Sequence, residues 1–279
     1  MGLVRCLDSL ERRTETMSNT DYRNLLSLHG QVFVVLGAGQ GIGEEVVRAL
    51  SQCGARVVCV DSVLERAQQV ASANNGIALA ADVTKPEEMD RVFSEAAKVQ
   101  GSGPLGVVNV VGMVIRNELA SEDAGSWKRQ FELVLDHVWL TLHFGAKAMK
   151  DRGGNMVFIG SIAGHVVRSG AALAYASAKA GLHHLAKGAA QELAPQGIRV
   201  NVVAPGLTRT PRLVANNSAD YWKQESSRIP MGRPGETSDV ASAVLYLASP
   251  LAAYVTGNVI AVDGGSSLGA VGAFKLAAS

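Results

Sequence analysis

The feature that most restricts the fold of this chain is an alternation. Short apolar runs rich in Val and Ile alternate with segments whose apolar positions recur every three or four residues, from residue 31 to residue 262. The first run, Val32-Phe33-Val34-Val35-Leu36, is apolar at every position, as in a strand covered on both faces. It stops at glycines. Ile42, Val46, Val47 and Leu50 then follow at helical spacing until Gly54. The same reading gives strands over 56–60, 77–80, 105–110, 155–159, 199–203 and 258–262, and helices over 63–73, 86–99, 126–150, 173–193 and 237–248. Strands separated by helices connect through right-handed crossovers, so the expectation is a single-domain α/β fold: a doubly wound parallel sheet of about seven strands with helices on both faces. Thirty glycines against eight prolines fit many tight strand-to-helix turns.

The expected organisation is an amino-terminal extension over 1–28, partly disordered and with Met17 as a second candidate start, a domain over 29–266, and a tail over 267–279. Residues 208–233 form an irregular stretch that could cover a site as a substrate loop. A net charge of +1 provides no field for gripping a nucleic-acid backbone. The longest nearly apolar stretch, about residues 107–115, is half of what a membrane helix needs, so no membrane partner is expected. The cysteines Cys6, Cys53 and Cys59 make neither a metal-ligand spacing nor a disulfide framework, and a reduced, cytoplasmic setting follows as the expectation.

At the end of the first strand stands Gly37-Ala38-Gly39-Gln40-Gly41-Ile42-Gly43. Between a strand and a helix, such glycines let the backbone turn sharply and let a pyrophosphate reach free N–H groups at the helix amino terminus. Asp61 closes the second strand, 24 residues after Gly37. A carboxylate there can accept both hydroxyls of an adenosine ribose and would repel a 2′-phosphate, which favours NAD over NADP. Gln40 adds no positive charge to offset that repulsion. Asp82-Val83 ends the third strand, where an adenine edge would lie.

Tyr175 and Lys179 sit four residues apart, on one face of a helix, and Ser161 lies just past a buried strand at the carboxyl edge of the sheet. With these residues in view, the chain resembles the short-chain dehydrogenase/reductase family over about residues 29–266. The resemblance rests on the Gly37–Gly43 loop, Asp82, Asn109 with Gly112, Ser161, Tyr175 with Lys179, and Asn201-Val202-Val203-Ala204-Pro205-Gly206. Thr208, Thr210 and Thr256-Gly257 with Val262-Asp263-Gly264-Gly265 complete it. It implies a Rossmann-like fold and NAD(P)-dependent oxidoreduction. It also implies cofactor contacts at Gly37, Gln40, Gly41, Ile42, Asp61, Asp82, Val83, Asn109, Gly112, Tyr175, Lys179, Pro205, Gly206, Thr208 and Thr210. Tyr175 would be the general base or acid, Lys179 would lower its pKa and hold the nicotinamide ribose, and Ser161 would stabilise the substrate oxygen. A homodimer or homotetramer built on helices 126–150 and 173–193 is implied as well; the stripe Leu182, Leu185, Ala189, Leu193 permits it.

Three positions depart from the family pattern. Leu36 and Val110 replace polar residues at neighbouring strand ends, which reads as a compensated exchange if their side chains meet. Val134 stands where relatives place an Asn that helps hold a water in the proton path from Lys179. Either water or His137 carries that path, or proton exchange is impaired. His183 and His184 read as helix surface, and His165 either faces the substrate or does not take part. Val111, Met113, Ile162, Val166, Leu207, Leu213 and Trp222 suggest a neutral, mostly apolar alcohol (cyclic, aromatic, terpenoid or steroid-like), unless Arg116, Arg168 or Arg212 turns into the site. A cofactor-binding protein with little or no catalysis is the competing reading, and Val134 is its support.

Overall fold

A computed structural model describes residues 20–99, 103, 105–167 and 172–269 of the chain. Seven strands form one parallel sheet: β1 (Val32–Leu36), β2 (Arg56–Asp61), β3 (Ile77–Ala80), β4 (Leu105–Asn109), β5 (Gly154–Ile159), β6 (Ile198–Pro205) and a final strand, β9 (Val259–Val262). Their spatial order is β3-β2-β1-β4-β5-β6-β9. Chain direction across the sheet therefore reverses between β1 and β4, and in such sheets the crevice at that reversal is where ligands bind.

Strand alternation divides the core into two. Val32, Val34, Leu36, Val58, Val60 and Val107 point to one face, under α3 (Pro86–Lys98), α5 (His137–Met149) and α6 (Leu173–Leu193). Phe33, Val35, Val57 and Cys59 point to the other, under α1 (Ile42–Gln52), α2 (Leu64–Ala73) and α9 (Thr237–Ala248). Covering on both faces explains why the strands read as continuous apolar runs. Burial also pushes the Cys59 thiol up to about 12, leaving it inert. Among the described residues no helix is long and apolar enough to cross a membrane.

The expected helix over 126–150 is divided. Asp123 Oδ1 accepts from Gly125 N and Ser126 N, so α4 (Ala124–Phe131) starts earlier. A π-helical turn, Glu132–Asp136, then separates it from α5. The wider turn places Val134 fully in the core.

The stretch after β6 is more regular than expected. It contains β7 (Thr208–Arg209), α7 (Pro211–Ala215) and α8 (Ala219–Ser226), and β8 (Gly235–Glu236) pairs with β7 to close its base. Arg209 holds α8 down, with its guanidinium 5.1 Å from the Trp222 ring and 3.6 Å from Glu236.

Two expectations need correction. Leu36 packs in the first core and Val110 against the second, on opposite sheet faces, so the two side chains do not form a compensating pair. In the stripe Leu182, Leu185, Ala189, Leu193, the first and last residues are buried in the chain's own core, and only Leu185 and Ala189 keep partial exposure. Residues 1–19, Arg168 and 270–279 lie outside the described residues.

Candidate active site

At the reversal of the sheet, Val110 N donates to Leu36 O at 2.9 Å, joining the two loops that leave β1 and β4. The glycine loop is shaped by close approach: a Cβ on Gly43 would lie 1.9 Å from Gly37 O. Gly37 and Gly41 take positive φ angles of 82° and 62°. No side chain caps α1, so its first N–H groups remain free for an anion, while Glu44 and Glu45 are each paired with Arg48. Gln40 is exposed, and Ile42 starts the helix with its side chain toward the core.

Asp61 supports this loop directly. Its Oδ2 accepts from Gly39 N and its Oδ1 from Val63 N, both at 3.0 Å. Asp82 is tied to Thr84 N and Oγ1, which holds its carboxyl below the usual carboxylate range against the opposing effect of burial. The Val83 side chain is buried in the core. Thr210 and Pro211 lie against Gly41, where an added Cβ would meet Pro211 Cδ at 3.5 Å. Thr210 Oγ1 caps α7, and the buried Thr208 Oγ1 donates to Gly206 O. Pro205 ends β6, and Gly206 N donates to Val262 O.

Asn109 is consumed internally. Its Nδ2 donates to His137 Nδ1 at 3.0 Å and to Thr141 Oγ1 at 2.9 Å, and its Oδ1 accepts from Val111 N. These partners fix the His137 tautomer: Nδ1 accepts, so Nε2 carries the proton and donates to Leu133 O at 3.2 Å. Burial above all, and then the Lys179 charge, lower the His137 pKa to about 3. With both nitrogens engaged and no exposed surface, His137 is a neutral structural link between β4 and the π turn.

Ser161 and Tyr175 form a side-chain hydrogen bond. Ser161 Oγ also accepts from Ala163 N, which leaves its own proton to be donated outward. Lys179 is 2% exposed, donates from Nζ to Ile159 O at 2.7 Å, and borders Gly112, where a Cβ would come within 3.1 Å of Nζ. Its Nζ lies 5.7 Å from the Tyr175 ring centroid. Burial lowers the Lys179 pKa to about 7. Burial raises the Tyr175 pKa, and the Ser161 hydrogen bond and the charges of Arg212 and Arg116 act against it. Neither Arg116 nor Arg212 has an acidic partner among the described residues.

Sequence reading missed two residues here. Gln130, fully buried, holds the loop after β4 by accepting from Ile115 N and donating to Met113 O. His183 is not helix surface: it is 5% exposed, behind Ser161, and only His184 faces out. A polar residue at a core position of the helical period was the available signal for both. A separate cleft of about 700 Å³ lies at the opposite edge of the sheet. There Arg199 Nη1 donates to Leu247 O and Val255 O, capping the end of α9.

Comparison with known proteins places the chain among oxidoreductases. A family model described as enoyl-(acyl carrier protein) reductase matches residues 37–267. Galactitol 2-dehydrogenase (L-tagatose-forming) of Cereibacter sphaeroides is 38% identical over 253 residues, covering 88% of this chain and 98% of the relative. Cis-4-hydroxycyclohexanecarboxylate dehydrogenase of Sinomonas cyclohexanicum is 37% identical over 241 residues, covering 84% and 96%. A solved short-chain type dehydrogenase/reductase from Mycobacterium marinum superposes with a TM-score of 0.83 at 30% identity, covering 88% and 99%.

Proposed function

Because the chain belongs to the short-chain dehydrogenase/reductase family of oxidoreductases, we propose that it interconverts a secondary alcohol and a ketone with NAD as cofactor. The observation that carries this reading is the meeting of Ser161, Tyr175 and Lys179 beside a glycine loop built for close approach.

The residues present fit a dinucleotide. The uncapped α1 amino terminus with Gly37, Gln40, Gly41 and Ile42 would hold the pyrophosphate. Asp61 would take the adenosine ribose, and Asp82-Val83 the adenine. Gly112, Tyr175, Lys179, Pro205, Gly206, Thr208 and Thr210 would hold the nicotinamide end, and Asn109 would serve by fixing the loop that carries Gly112. When bound, the cofactor supplies the hydride acceptor or donor.

In this reading Tyr175 Oη takes the alcohol proton in oxidation and returns it to the carbonyl oxygen in reduction. Ser161 Oγ donates to the same oxygen and stabilises its developing charge. Lys179 holds the nicotinamide ribose, and its charge at neutral pH is finely balanced by burial. The cytoplasmic setting and the homodimer or homotetramer belong to the same proposal.

Of the apolar residues expected near the reacting carbon, Ile162 and Trp222 are buried, while Val111, Met113, Val166, Leu207 and Leu213 keep some exposure, and their apolar character supports a neutral, mostly apolar substrate. One observation favours a second reading, in which the alcohol also carries a carboxylate: the Arg212 and Arg116 charges both act on the phenol, and neither is paired with an acid. The Sinomonas relative is, by name, a dehydrogenase of such a cyclic hydroxy acid. Reduction of NAD+ with matched cyclohexanol and 4-hydroxycyclohexanecarboxylate separates the two. A higher kcat/KM for the acid, lost in Arg212→Leu, supports the second reading, and a preference for cyclohexanol supports the first. Tight NADH binding without turnover of any alcohol would instead support the non-catalytic reading.

A further inference from the structure

His183 lies one helical turn beyond Lys179 on α6, and the loop carrying Ser161 is wrapped around its ring. Ser161 N approaches His183 Nε2 at 3.5 Å. The loop glycines on either side make this approach possible: a Cβ on Gly160 would lie 2.3 Å from Nε2, and one on Gly164 would lie 2.7 Å from Cε1. The exposed His165 ring covers the imidazole from outside, with centroids 4.5 Å apart. We propose that His183 is a positioning residue for Ser161, holding the 160–165 loop through a neutral ring whose Nε2 accepts the Ser161 amide proton.

The protonation state agrees with this geometry. An accepting Nε2 requires the proton on Nδ1. Burial first, and then the neighbouring charges of His165, Lys179 and Lys187, lower the His183 pKa to about 4, so the ring is neutral near pH 7. The cost of the arrangement is visible. Nδ1 is buried with no partner among the described residues, a penalty that a leucine in the same place would avoid. A core position that carries such a group is expected at a site where geometry matters more than stability.

The inference rests on the catalytic reading of Ser161, and the test separates the two. His183→Leu keeps the volume but removes the acceptor, whereas His183→Gln restores an acceptor, Oε1, at a similar reach. The expected results are a fall of about tenfold or more in kcat for His183→Leu, NADH affinity unchanged within about twofold, and recovery of most of the loss in His183→Gln. In a Ser161→Ala background, His183→Leu should have almost no further effect, because the two act as one unit. Full activity in His183→Leu, or equal additive losses in both backgrounds, overturns the positioning role. If Ser161→Ala itself retains full turnover, the reading of Ser161 fails first. NADH binding reports folding in every variant.

Discussion

At the scale of single residues, burial governs the site. Lys179 is an ammonium placed where its neutral form is favoured, and its pKa falls from 10.5 to about 7. Below about pH 7 the folded protein bears the full cost of the buried charge. As pH rises from 7 toward 10.5, only the unfolded chain still holds the extra proton, so that cost fades and stability rises. Lys179→Met should therefore be more stable than the parent at pH 6, by about 1–3 kcal/mol after the lost hydrogen bond to Ile159 is offset, and the gap should shrink by pH 9. Urea unfolding at the two pH values measures it; a constant gap contradicts the assigned cause. Turnover tests the neighbouring phenol. Tyr175→Phe should lower kcat by about a hundredfold or more while NADH affinity stays within about twofold, because the ring that borders the nicotinamide end remains and only the hydroxyl that handles the proton is lost.

At the scale of elements, the π turn and its polar supports are what sequence periodicity could not show. A helix over 126–150 was legible from its apolar spacing, but a single inserted residue in one turn hardly changes that spacing. The lock formed by His137 with Asn109 and Thr141 depends on partners 28 and 32 residues from Asn109. No local pattern encodes such pairs. His137→Leu should cost about 2 kcal/mol at pH 7, because Asn109 Nδ2 loses one acceptor. The loss should shrink toward pH 4. The parent's His137, with a pKa lowered to about 3, resists protonation while the unfolded chain takes up a proton below about 6.5, so the parent itself weakens there. Chemical denaturation at both pH values reads the difference, and a loss that grows on acidification contradicts it.

At the scale of the whole molecule, most of the architecture was legible. The limits of α6 and α9 match the sequence reading, and the strands agree within two residues, because burial on both faces writes each strand as an unbroken apolar run. The direction of side chains was less legible. Leu36 and Val110 face opposite layers, and the first and last residues of the α6 stripe are buried, so neither could be placed from spacing alone. A large exposed apolar side chain on the long helices is Trp139 on α5, which is 54% exposed and stacks on His143. If the chain forms the proposed homodimer or homotetramer through this face, Trp139→Glu should halve the mass seen by light scattering. A parent that is already a monomer rejects the assembly.

The central claim is that the glycine loop and Asp61 form an NAD site serving Tyr175. Its most direct test is a titration of the purified protein with NADH and then NADPH, followed by the fluorescence of the reduced nicotinamide. The expected result is binding of NADH in the micromolar range, with NADPH at least about tenfold weaker because Asp61 repels a 2′-phosphate. Equal or tighter binding of NADPH would contradict the role given to Asp61. Binding of neither nucleotide would contradict the site itself.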